Sequence, residues 1–163
     1  DDSGWNVTTF PAAGTNSGTA GVQFSVSTAG SSGIVISWDH RHSNTSSRDV
    51  RFQYSLDGTN FVNASPFQGS TGDTWFNARS VDLTSVAGVD NNPNFAFRIV
   101  SEIVPGNANY LSSNPTATYA PGGTWRFDMV TVTAVPEPAS LTLLCGACGA
   151  GLVVRRLRRV SPR

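Results

Sequence analysis

The sequence has no lysine and few charges of any kind: Asp, Glu, Lys and Arg make up 13% of its 163 residues, about half the usual share. Strong helix formers are scarce and no part of residues 1–134 repeats its apolar residues every three to four positions, which excludes a helical bundle. Cysteine is absent before Cys145, so residues 1–134 fold without a disulfide, whatever the redox state around them. Paired acids, a nucleophile–histidine–acid set and a metal-ligand spacing are also missing, which leaves catalysis without an evident carrier. The opening Asp1-Asp2-Ser3-Gly4 lacks the basic and apolar pattern of a secretory leader. The expectation is that a leader has been removed or precedes the residues given.

Gly, Ser, Thr and Asn fill the space left by charge, and apolar residues interrupt them with a period of two. Val22, Phe24 and Val26 alternate with polar residues, as do Val50, Phe52, Tyr54 and Leu56, then Phe95, Phe97 and Ile99, then Val130 and Val132. The apolar run from Gly33 to Trp38 reads as a central strand, and residues 5–10 and 75–83 as further strands, giving seven or eight. Turn residues separate them: Gly30-Ser31-Ser32-Gly33, Asp57-Gly58, Asn91-Asn92-Pro93-Asn94 and Pro121-Gly122-Gly123. Residues 105–120 lack alternation and read as a long loop. Short strands with turns between them predict an all-β fold, an antiparallel β-sandwich of jelly-roll type over residues 1–134. Its core should draw on Val22, Phe24, Val26, Ile34, Ile36, Phe52, Tyr54, Phe95, Phe97, Ile99, Phe127 and Val132, because each strand buries only one face.

Charge is divided unevenly along the chain. All eleven basic residues are arginine, and five of them, Arg155, Arg156, Arg158, Arg159 and Arg163, lie in residues 155–163. All eleven acids lie at or before Glu137, so residues 1–138 carry six arginines against eleven acids, a balance of −5, and the tail carries +5. An acidic outer domain is a poor match for the phosphates of nucleic acid, so no nucleic-acid partner is expected. The second region, 135–163, opens with Val135-Pro136-Glu137-Pro138, where prolines should end sheet pairing and leave an extended, exposed segment. Residues 139–154 follow without a charge; as a helix they would reach about 24 Å, a little short of a full bilayer. Arg155 and Arg156 can snorkel, and the cluster completed by Arg158 and Arg159 should stop transfer and stay cytoplasmic. The fold expected is thus the sandwich plus a single C-terminal transmembrane helix.

A Val-Pro-Glu-Pro motif, a short apolar span and a terminal arginine cluster, in that order, resemble the PEP-CTERM sorting signal of Gram-negative bacteria. The resemblance implies recognition by an exosortase, a membrane enzyme that cuts near residues 135–138. It implies an exported protein, first an inner-membrane-anchored precursor with a transient single span, then part of the cell surface or of an exopolysaccharide matrix.

Other constellations have plainer readings beside the chemical one. Cys145-Gly146-Ala147-Cys148 has redox spacing but sits within the apolar span, where nothing stabilises a thiolate. His40 and His42 share one face of a strand and flank no third ligand. With Asp39 they are the one acid–base candidate, the basis of a hydrolase reading ranked last. Residues 54–61, with Ser55, Asp57 and Gly58, resemble the Asp-box hairpin of sialidase-like propellers; one copy makes a hairpin, not a propeller. Asp128 on the last strand resembles the calcium-adjacent aspartate of some jelly-roll carbohydrate-binding modules. A single carboxylate is too few ligands, so a structural calcium is a minor expectation and no cofactor is otherwise predicted. Among the aromatics, Trp38 and Trp125 belong to strong strands and should be core, while Tyr110 and Tyr119 in the long loop are the expected glycan contacts. The first expectation is a non-catalytic surface or matrix protein; the alternative is a jelly-roll carbohydrate-binding module for matrix polysaccharide.

Overall fold

A computed structural model describes residues 4–137. They form eight strands: β1 (Trp5–Val7), β2 (Gly21–Ser25), β3 (Ser31–His42), β4 (Asp49–Ser55), β5 (Val62–Gln68), β6 (Thr74–Asp82), β7 (Ala96–Ser101) and β8 (Trp125–Pro136). Two four-stranded sheets result, one in the order β1-β8-β3-β6 and the other β2-β7-β4-β5, and every pairing is antiparallel. Among the described residues there is no helix, and so none long and apolar enough to cross a membrane. The expected span 139–154 with its two cysteines, the membrane stop at Arg155, Arg156, Arg158 and Arg159, and Pro138 lie outside the described residues.

Alternation decides which side chains meet between the sheets. Along β3 the pattern is strict from Ile34 onward, with Ile34, Ile36, Trp38, His40 and His42 all buried. Opposite them, Val22, Phe52, Phe97 and Ile99 of the second sheet complete one apolar cluster with Phe95, Trp125 and Phe127. All twelve expected core residues lie in this cluster or pack against it; Phe24, Val26, Tyr54 and Val132 are half-buried at its margin. Full burial of one such side chain contributes about 1.5–3 kcal/mol.

Three bulges adjust the first sheet. β3 gains a residue at Gly33 (φ 68°), β6 at Ala78 (φ 53°) and β8 at Met129 (φ 49°). The last two flank Asp39 on either side. Asp39 accepts a hydrogen bond from the Ala78 N–H at 2.7 Å, and Asp128 accepts one from the Met129 N–H at 2.7 Å. Both carboxylates therefore satisfy backbone donors that the bulges displace from the ladder.

The prolines do not end the sheet where expected. β8 runs through Val135, opposite Ser32, to Pro136, opposite Ser31. Pro136 is tolerated because Ser31 needs nothing from it: the Ser31 N–H donates to Thr28 O at 3.0 Å and its carbonyl accepts from Asn91 N–H at 2.9 Å. Pairing resumes one residue on, where the Glu137 N–H donates to Gly30 O at 2.9 Å.

Candidate functional site

The first candidate is the exit of β8. Val135 is 61% exposed, and Pro136 and Glu137 are exposed beside it. On one side the strand is held by β3. On the other, β1 covers only residues 125–127, so from Asp128 to Pro136 that edge has no strand partner among the described residues. The front half of residues 135–138 is thus both accessible and extended.

The histidines occupy the opposite environment. Alternation turns His40 and His42 inward and Asp39 outward, so the expected acid–base pair is not brought together. The two imidazoles pack at 4.1 Å between ring centroids, tilted by 33° and enclosed by Trp125, Phe127 and Phe76. The His42 Nδ1–H donates to Ser47 O at 3.0 Å, and Arg79 Nη1 donates to His40 Nδ1 at 3.4 Å, so the two rings carry opposite tautomers. Burial holds His40 well below its ordinary value, helped by His42 and Arg79, and brings His42 to about 3. Arg79 is buried too, lowered to about 10 by desolvation, with its guanidinium over Phe76 and Nη2 donating to Gln68 O at 2.7 Å. Gly69 completes the seal: a Cβ there would overlap the His42 ring. Both Nε2 atoms are buried without a hydrogen-bond partner among the described residues. Held neutral and walled in by aromatic rings, the two imidazoles are placed as core residues of the first sheet.

Tyr110 and Tyr119 are 3% and 9% exposed, which corrects the expectation that they face a glycan. Their rings stack on each other at 4.8 Å. Tyr119 donates to Pro11 O at 2.6 Å, and Tyr110 to Thr15 O and Asn16 O at 3.1 Å. They pin the long loop to the segment before β2, because a buried phenol must find an acceptor. Asp128 stands opposite Asp39 on the outer face of the first sheet, and among the described residues no three acids, histidines or cysteines gather as metal ligands. The Asp57 hairpin is as expected in kind, although Asp-Gly sits in a six-residue connection between β4 and β5. Asp57 accepts from Asn60 N, Asn60 Nδ2, Thr59 N and Ser55 Oγ at 2.6–2.9 Å, which holds its carboxyl far below the usual range.

A further arrangement leaves no signal in any one segment of the sequence. On the outer face of the second sheet, Gln23 of β2 stands opposite Arg98 of β7, Arg98 opposite Gln53 of β4, and Gln53 opposite Asn63 of β5. Four strands thus place one row of amides and a guanidinium across the sheet. Gln53 Nε2 donates to Asn63 Oδ1 at 2.6 Å, Arg98 Nε donates to Gln53 Oε1, and the Arg98 guanidinium lies 4.1 Å from the Phe61 ring centroid. Beside the row opens a cleft of about 270 Å³ between the end of β2, the Asp57-Gly58 turn and Pro93-Asn94. Alternation marks each of these residues as outward-facing, but only the register aligns them. No family model, curated protein or solved structure matches this chain.

Proposed function

We propose that the chain is an exported, non-catalytic protein of the cell surface or extracellular matrix, sorted through residues 135–163 as an exosortase substrate. The observation that carries this reading is the order of Val135-Pro136-Glu137-Pro138, sixteen uncharged residues and the arginine cluster. Residues 139–154 would form the transient span and hold the precursor in the inner membrane. The exposed exit of β8 supports it, since a protease takes its substrate as an extended strand. Changing Pro136, Glu137 and Pro138 together to Ala should leave the span intact and block cutting. In an exosortase-bearing host the uncut form then accumulates in the inner membrane; release at the normal rate would reduce the motif to a linker.

A second reading makes the sandwich, taken as jelly-roll-like, a carbohydrate-binding module that holds the released protein in a polysaccharide matrix. The row of Gln23, Arg98, Gln53 and Asn63 favours it, because amides and a guanidinium offer paired donors and acceptors of the kind hydroxyl groups need.

A further inference from the structure

We infer that the outer face of the second sheet binds a polysaccharide rich in uronic acid, with Arg98 receiving a sugar carboxylate, the exposed Gln23 and Asn63 contacting hydroxyls, and the buried Gln53 holding Arg98 in place. The inference deepens the carbohydrate-binding reading and does not depend on the tail, whose strand β8 belongs to the other sheet.

The placement of charge selects the ligand. Arg51, next to the row, is neutralised by Glu102 through a contact of 2.9 Å. Arg98 has no carboxylate partner among the described residues, and its terminal nitrogens make no hydrogen bond there. A half-buried cation left open on an acidic domain is suited to an anion from outside. The guanidinium is already oriented, by Nε on Gln53 and by Phe61 against its plane, so little side-chain freedom is lost when a ligand arrives. Its fork matches a planar carboxylate with two parallel N–H···O bonds.

The shape of the row selects a chain over a single sugar. Three strand spacings of about 4.8 Å make it about 14 Å long, the length of a short run of pyranose rings. The amides of Gln23 and Asn63 are exposed at its two ends, with Gln53 between them 8% exposed and braced by its neighbours. Ser25, on the same face as Gln23 and two residues along, begins a cleft whose far wall carries the ionised Asp57, so a sugar carboxylate is received at Arg98 and only hydroxyls at that end.

The test is calorimetric titration of the full chain in detergent with oligomers of alginate, a linear polyuronate, and of dextran, a neutral glucan. Alginate should bind, weaken as salt rises, and lose at least tenfold in affinity in Arg98→Gln. Arg98→Lys should recover only part of that loss, since a point charge lacks the fork. Tyr119→Phe, away from the face, should bind as the parent does. Equal binding by parent and Arg98→Gln overturns the inference. If dextran binds instead, and Asn63→Ala weakens it, the carbohydrate reading stands and the uronate assignment falls. Binding of neither polymer removes both. Should Arg98→Gln fail to melt like the parent, Arg98→Lys and the exposed Asn63→Ala decide the outcome.

Discussion

The two sheets contribute unlike faces to one core. The second sheet lines its inner side with Val22, Phe52, Phe97 and Ile99, and the Phe52 and Phe97 rings stack at 5.6 Å. The first lines part of its inner side with His40, His42 and Arg79, packed among aromatic rings. The sheets also differ away from the core: one contains the strand that leads to residues 138–163, between β1 and β3, and the other displays the amide and guanidinium row on its outer side. The imidazoles are therefore buried in one sheet, and a guanidinium without a carboxylate partner among the described residues is displayed on the other. A change in acidity should be felt as stability through the first, and a change of ligand as binding through the second.

The largest expected effect tests the apolar half. Phe97→Ala should lower stability by about 3–5 kcal/mol, as large-to-small core substitutions of phenylalanine do. Urea unfolding should give the same loss at pH 7.5 and at pH 5, because no titrating group faces the change; a strongly pH-dependent loss would show that the sheets are not separable in this sense.

Acid probes the other half. The His42 imidazole titrates near 6.5 when unfolded and near 3 when folded. Between those values the unfolded chain binds the proton and the folded chain refuses it, so this stability is complete above 6.5 and declines as pH falls toward 3. At 1.36 kcal/mol per pH unit, His42 alone should remove about 3 kcal/mol by pH 4.5. His40, lowered in the same direction, adds to it. In the variant His40→Leu/His42→Leu the profile between pH 7 and 4.5 should flatten, and an unchanged slope would place acid sensitivity elsewhere.

Smaller effects refine the boundary between the two. Gly69→Ala should cost about 1–3 kcal/mol through overpacking, since its Cβ would meet the His42 ring, and aromatic chemical shifts of the His40, His42 and Trp125 cluster should move with it. Tyr119→Phe removes one buried hydrogen bond, to Pro11 O, and should cost about 1 kcal/mol. Faster amide exchange in the segment before β2 is the local signature; protection lost throughout would mean the tyrosine supports more than that loop.

Alternation made the strands legible: Val22, Phe95, Phe97 and Ile99 are buried as their period of two requires, and Phe24 packs half-buried beside them. It also placed His40 and His42 on one face, yet it could not say that the face is interior, because a polar residue in an inward position breaks the signal that identifies the interior. The bulges at Ala78 and Met129 left no mark, since neither residue is a usual choice for positive φ. Pro136 read as a stop because its missing donor is visible in sequence, whereas the other partners of Ser31 are not. Tyr110 and Tyr119 lie in a segment whose composition reads as surface loop, yet loop aromatics are drawn inward when an acceptor waits there. The row on the second sheet depends on register across four strands, which no single segment encodes.

The junction of β8 with the tail also fixes how the domain bears mechanical load. Tension drawn along the tail enters at Glu137 and runs down the length of β8, which pairs with β3 from Pro136 to Trp125. Force parallel to a strand loads its ladder in shear, with many hydrogen bonds resisting together, whereas force across a strand opens them one by one. Tension applied at Glu137 therefore acts on a twelve-residue strand paired along its length with another of twelve residues, and the hydrogen bonds of the β3–β8 ladder share it.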